Sequence, residues 1–144
     1  MQQESEISTD NLLLMIENEE DISQNWEQLS RYMNAPSFCE YLYRLVSERS
    51  INIRELGVKT LLSRSFTYQI FSGDRIPGRD IILRIAVAVG ATVDETQRLL
   101  KLADRGALYS KVKRDSAIIY ALSNNYSLYE TDELLVKLGQ RSLI

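Results

Sequence analysis

Apolar residues along this chain recur at intervals of three and four, and no stretch alternates apolar and polar with period two. The first spacing gathers side chains on one face of a helix; a half-buried strand would need the second. The pattern therefore predicts an all-α protein without a sheet of consequence. Four segments open on a capping box, in which a small polar side chain covers one free backbone N–H and a glutamate three residues on reaches back to another. These are Ser37/Glu40, Asn52/Glu55, Thr92/Glu95 and Ser127/Glu130.

The first box starts a helix with Phe38, Leu42, Leu45 and Val46 on one face, running to about Arg49; the second starts a short helix ending near Val58. Ser63 is the N-cap expected for a third helix to Ser72, stopped by Gly73, and Pro77 blocks re-entry until Gly78 and Asp80. Ile82, Ile85, Ala86 and Val89 line a fourth helix closed by Gly90, and Val93, Thr96, Leu99, Leu100 and Ala103 a fifth. Beyond Gly106 two more are expected, over residues 114–124 (Ala117, Ile118, Ala121, Leu122) and 128–138 (Leu134, Leu135, Leu138), the latter ended by Gly139. Before Ser37, residues 10–17 and 21–33 read as amphipathic helices, the second presenting Ile22, Trp26, Leu29 and Met33. The organisation that follows is an N-terminal extension over 1–36, a five-helix unit over 37–103 and a C-terminal helical pair over 104–144.

Composition narrows the function. The single cysteine, Cys39, and the absence of histidine remove intramolecular disulfides, zinc ligand clusters and every His-dependent triad. No catalytic spacing of carboxylates, lysines or tyrosines and no phosphate-cradling glycine loop is present, so neither an enzyme, a cofactor nor a metal is expected. Cys39 is expected as a small buried hydrophobe. The apolar run 12–16 is far too short to cross a bilayer, and Glu4, Glu6 and Asp10 stand where a signal peptide needs basic and apolar residues, which predicts a cytoplasmic protein with no membrane role.

The net charge of −3 is unevenly distributed. Residues 1–36 carry eight acids against Arg31; residues 37–103 carry ten basic and seven acidic side chains, and residues 104–144 six and five. A DNA-contacting face needs positive charge on that face, not in total, because counterion release belongs to the contact surface.

Leu56-Gly57, Leu61-Leu62-Ser63, residues 64–71, Ser72-Gly73 and Pro77 together resemble the Cro/repressor-type (XRE-type) helix-turn-helix of bacterial and phage DNA-binding regulators, and the helical continuation through Gly90 extends the resemblance over about 65 residues. The resemblance implies a five-helix domain that reads double-stranded DNA in sequence-specific fashion. Its second motif helix, residues 63–71, would lie in the major groove while the helix before it braces the backbone. Leu56 and Gly57 then take the close contact between the two helices, and Ile70 faces the core. Arg64, Ser65, Tyr68 and Gln69 face outward as candidate base readers, since arginine can bridge two guanine acceptors and glutamine the acceptor and donor of adenine. Asn52, Lys59, Ser63, Arg75 and Arg79 are the candidate phosphate contacts, and no acid stands between Leu56 and Gly73.

Two positions depart from the family. Leu61 stands where many members have glycine; a leucine there is strained, which predicts a longer or differently shaped turn. The arginine–glutamate pair often buried between the first and third helices corresponds to Val46 and Phe71, an apolar replacement.

The flanks leave alternatives open. Ile118, Leu122, Leu134, Leu135 and Leu138 either form a homodimer contact, which would double the half-sites read, or cap the five-helix unit. Tyr109, Lys111, Lys113, Arg114 and Asp115 read as a basic linker ahead of them. The acidic N-terminal segment is a docked extension, a protein-binding arm or an autoinhibitory strip. The rival function, motivated by the modest charge of residues 37–103 and by Leu61, is a protein-interaction adaptor on a helix-turn-helix scaffold that does not bind DNA.

Overall fold

The structure, a computed structural model, describes residues 7–144, so Glu4 and Glu6 lie outside the described residues. Among these the protein is all-helical, with nine helices and no strand. The chain divides into two compact units at Pro36, each described separately.

The first unit holds α1 (Thr9–Glu17) and α2 (Trp26–Ser30). Ser8 caps α1 by accepting from Asn11 N. The helix expected over 21–33 shrinks to five residues, because the Asp21 carboxylate accepts from Ser23 Oγ at 2.7 Å and from Gln24 N at 3.3 Å. Such local bonds offer the backbone an alternative to the helix ladder. Leu29 is buried, whereas Trp26 is half exposed.

The second unit comprises α3 (Phe38–Glu48), α4 (Ile53–Thr60), α5 (Arg64–Ser72), α6 (Arg79–Val89), α7 (Val93–Leu102), α8 (Lys113–Ser123) and α9 (Leu128–Lys137). All four capping boxes form with both hydrogen bonds in place. The centre is α6, which meets α4, α7, α8 and α9. It therefore buries Leu83 and Val87 as well as the expected Ile82, Ile85, Ala86 and Val89. One core runs from Phe38 to Leu143, each fully buried aliphatic side chain contributing about 1.5–3 kcal/mol against exposure. Ile118, Leu122 and Leu135 belong to it, leaving Leu134 partly buried and only Leu138 of that group exposed. Cys39 is half-buried, with Sγ 3.4 Å from Ser37 Oγ, not fully enclosed as expected.

Four threonines, Thr60, Thr67, Thr96 and Thr131, sit in this core, and each hydroxyl donates to the carbonyl four residues back. That bond removes the cost of burying the hydroxyl. Of the stretch expected as a basic linker, Tyr109, Lys111 and Lys113 stay exposed, while its last two residues turn inward. Arg114 and Asp115 lie in the first turn of α8 and are buried. Arg114 makes a two-pronged pair with Asp80, at 2.9 and 3.1 Å, and Asp115 a similar pair with Arg79, at 2.9 and 3.1 Å.

Between α4 and α5 the turn is short, occupying only residues 61–63, which corrects the expectation of a longer one. Leu61 itself takes the left-handed conformation at φ 60°, ψ 32°. Leu61 N then bonds Val58 O at 3.3 Å and Leu62 N bonds Gly57 O at 3.1 Å. This pairing of bonds is the Schellman helix stop, which glycine usually completes. Leucine bears the cost of about 1–2 kcal/mol itself.

Candidate nucleic-acid interface

Helix α5 is anchored from behind and open in front. Ser63 caps it, its Oγ accepting from Phe66 N at 3.1 Å, and Thr67 Oγ1 donates to Ser63 O at 2.8 Å. Thr67 is buried against α4 and Ile70 in the core, while Arg64, Ser65 and Tyr68 are exposed and Gln69 is half-buried. The contact is close because Gly57 faces Thr67: a Cβ on that glycine would stand 3.2 Å from Thr67 Oγ1. Thr67, the other half of this contact, was missed in the sequence. A threonine in a helix gives no sign by itself of which way it faces.

Arg64 and Tyr68 are neighbours on the outward face, the guanidinium carbon lying 5.7 Å from the ring centroid. At an exposed site such stacking is worth about 0.5–1 kcal/mol, enough to favour one arrangement of the two side chains. Arg75 lies over Phe66 at 4.9 Å. Its backbone N–H bonds Gln69 O at 3.2 Å, tying the segment after Gly73 back onto the helix. Lys59 is exposed near the end of α4.

The remaining candidates are placed differently. Asn52 uses its side-chain oxygen on Glu55 N at 2.8 Å, and Glu55 Oε1 accepts from Asn52 N at 3.4 Å, setting a carboxylate beside this N-terminus. Arg79 does not join the face. Its guanidinium donates to Gly106 O, Ala107 O and both oxygens of Asp115, so its donors are spent inside the fold.

In exchange the structure adds Arg54 and Tyr43. Both line a concavity of about 470 Å³ with Ser47, Ser50, Asn52 and Tyr68, which brings the start of α4 and the outward face of α5 onto one surface. Arg54 was legible once Asn52 was assigned as an N-cap, since it falls in the first turn of that helix. Tyr43 was not, because α3 meets α5 only in the tertiary structure. Its ring also meets Phe71 edge-on at 6.4 Å. From Asn52 to Arg75 the exposed charged side chains are Arg54, Lys59, Arg64 and Arg75 against Glu55 and Asp74, a local excess of cations inside an acidic protein.

Among the described residues no cluster of three or more Cys, Asp or Glu side chains is arranged to hold a metal, and no helix is long and apolar enough to cross a membrane. Every buried side-chain nitrogen and oxygen described has a hydrogen-bond partner. No protein-family model, curated protein sequence or solved structure matches the chain.

Proposed function

We propose that the protein is a sequence-specific double-stranded-DNA-binding regulator of the Cro/repressor type, acting in the cytoplasm without cofactor or metal, with α5 entering the major groove. The observation that carries this is the mounting of α5. A short turn and the Gly57–Thr67 contact fix one side of the helix, leaving Arg64, Ser65 and Tyr68 projecting from its N-terminal half. Arg64, with Ser65, Tyr68 and Gln69, reads base edges. Lys59, Arg54 and Arg75, with the Ser63 hydroxyl and the Asn52 amide, contact phosphate. Arg79 drops out of the phosphate set.

Reading two half-sites requires a homodimer. The exposed Tyr120 and Leu138, with Leu134, line a concavity of about 560 Å³ between α8 and α9 and offer the surface for it. Sedimentation at tens of micromolar, with and without DNA, tests this. A monomer under both conditions leaves α8 and α9 only their part in the core.

Selection of bound sites from a random DNA pool, followed by salt-titrated binding, tests DNA recognition. An enriched palindrome and a log–log salt slope of about −0.9 per neutralised phosphate are expected. One observation favours the adaptor instead. Val58 and Leu61 expose apolar side chains beside the turn, where a protein partner would bury them. Absence of both enrichment and salt dependence would overturn DNA binding and leave the adaptor as the reading to test.

A further inference from the structure

Thr60 ends α4, and its carbonyl is one of those that a helix end leaves without an intrahelical partner. The left-handed Leu61 satisfies the carbonyls of Gly57 and Val58, but not that of Thr60. Arg84 of α6 supplies the missing donor, with Nη1 3.3 Å from Thr60 O. The other edge of the same guanidinium grips Leu143 O, from Nε at 3.2 Å and Nη2 at 2.9 Å. One side chain thus joins the turn of the helix-turn-helix to residues 141–144.

That segment is held independently. Asp132 of α9 accepts from Leu143 N at 2.6 Å and from Ile144 N at 3.3 Å, and also from Ser142 Oγ. Arg114 donates to Arg141 O at 2.8 Å and Ser142 O at 3.1 Å while paired with Asp80. The Leu143 side chain is in the core. If Leu143 O moves away, Arg84 keeps one long bond of three. A single long bond hardly offsets the rotamer freedom that a long arginine side chain regains on release. The turn it caps already holds a leucine in the left-handed region, so it has strain to release.

We propose that Arg84 is a positioning residue of the helix-turn-helix: the docking of residues 141–144 on Asp132 is transmitted through Arg84 to the Thr60 carbonyl and fixes how α5 is presented. Its consequence for DNA rests on the function proposed above; its mechanical part does not.

Amide hydrogen exchange of the whole chain without DNA is compared for the wild type, Arg84→Met, Arg84→Lys and Asp132→Ala. The control is Glu95→Gln, which weakens the Arg49–Glu95 pair, 2.7 Å long and distant in sequence from the turn. Arg84→Met and Asp132→Ala should each speed exchange at Leu61 and Leu62 about tenfold relative to the α6 amides, the size expected for one charge-assisted hydrogen bond. Arg84→Lys should recover part of the protection, and the control should leave the ratio unchanged. DNA affinity should fall in the same order. A uniform rise at all amides, or no change at Leu61 and Leu62 in Asp132→Ala, overturns the proposal. Should Arg84→Met not fold, Asp132→Ala and Arg84→Lys decide alone. Selective loosening with undiminished DNA affinity overturns the positioning role. Selective loosening in a protein that binds no DNA upholds the brace and defeats the DNA-binding function.

Discussion

Gly57 and Thr67 meet where α4 crosses α5, and a β-carbon on Gly57 would stand 3.2 Å from a hydroxyl that is already bonded to Ser63 O. Thr67 is buried and cannot swing aside without losing that bond. Gly57→Val should therefore cost about 1–3 kcal/mol, as overpacking does. Gly57→Ala should be stabilising only in a Thr67→Ala background, where its helix-propensity gain of about 1 kcal/mol is no longer opposed by the contact. Urea unfolding of the two singles and the double, read as a double-mutant cycle, measures the coupling. Additivity would show that the two helices are not locked here.

At Leu61, in the left-handed region, glycine should be the better residue. Leu61→Gly should raise stability by about 0.5–1 kcal/mol, because the relief of left-handed strain exceeds the added entropy of the unfolded chain. The midpoint of urea unfolding reports it. A fall in that midpoint would mean the half-exposed leucine side chain contributes packing worth more than the strain.

Under the proposed DNA-binding function, Arg64 and Lys59 should separate base reading from phosphate contact. Arg64→Ala should cost about 1–3 kcal/mol on a selected site and relax preference at one base position, while Lys59→Ala should weaken all sequences alike and reduce the salt slope by about one. Fluorescence anisotropy on selected and scrambled DNA distinguishes them. Equal losses on both DNAs for Arg64→Ala would remove it from the base readers.

Arg79 is a structural residue, and its loss should appear in stability. Arg79→Met leaves the Asp115 carboxylate, whose side chain is 6% exposed, with the Tyr109 N–H as its remaining partner, and should cost about 3 kcal/mol, the low end of the range for breaking a buried pair, since Arg79 itself is 29% exposed. Thermal unfolding checks this. A near-neutral Arg79→Met with weakened DNA binding would return it to the phosphate contacts.

Acid should destabilise the second unit through Asp80, Glu95 and Asp132. The Arg114 guanidinium bonded to Asp80 holds that carboxyl below its ordinary value, helped by Arg141. Burial pushes Glu95 and Asp132 upward, but the Thr92 backbone N–H and Arg49 outweigh it for Glu95. For Asp132 the Ser142 hydroxyl, the N–H groups of Leu143 and Ile144, and Arg84 outweigh it. These groups titrate lower folded than unfolded, so the unfolded chain takes up protons first. Their stabilisation is complete above about pH 5, clear of the unfolded carboxylate values, and is lost as pH falls through the folded ones. Asp80→Asn should flatten that acid limb in a series of urea midpoints from about pH 6 to about pH 3, spanning the unfolded carboxylate range. An unchanged limb would assign the acid sensitivity elsewhere.

Helix positions along this chain were legible because their determinants are local. Ser37, Asn52, Thr92 and Ser127 cap through bonds to residues three positions away, and Gly90 and Gly139 stop helices through their own φ. The same locality misled over residues 21–25, where the Asp21 side chain competes with the helix at equally short range. What each helix faces was settled only by packing. Arg79 reads from the sequence like any exposed arginine beside a basic stretch, and it becomes internal because α8 brings Asp115, 36 residues away, against it. Leu61 reads as an obstacle to a short turn. It adopts the strained conformation because bonds to Gly57 and Val58, and the Arg84 guanidinium on Thr60, hold the turn from both sides. Local bonding specifies the elements; which polar groups stay free to meet a partner depends on long-range pairing that leaves no periodic trace along the chain.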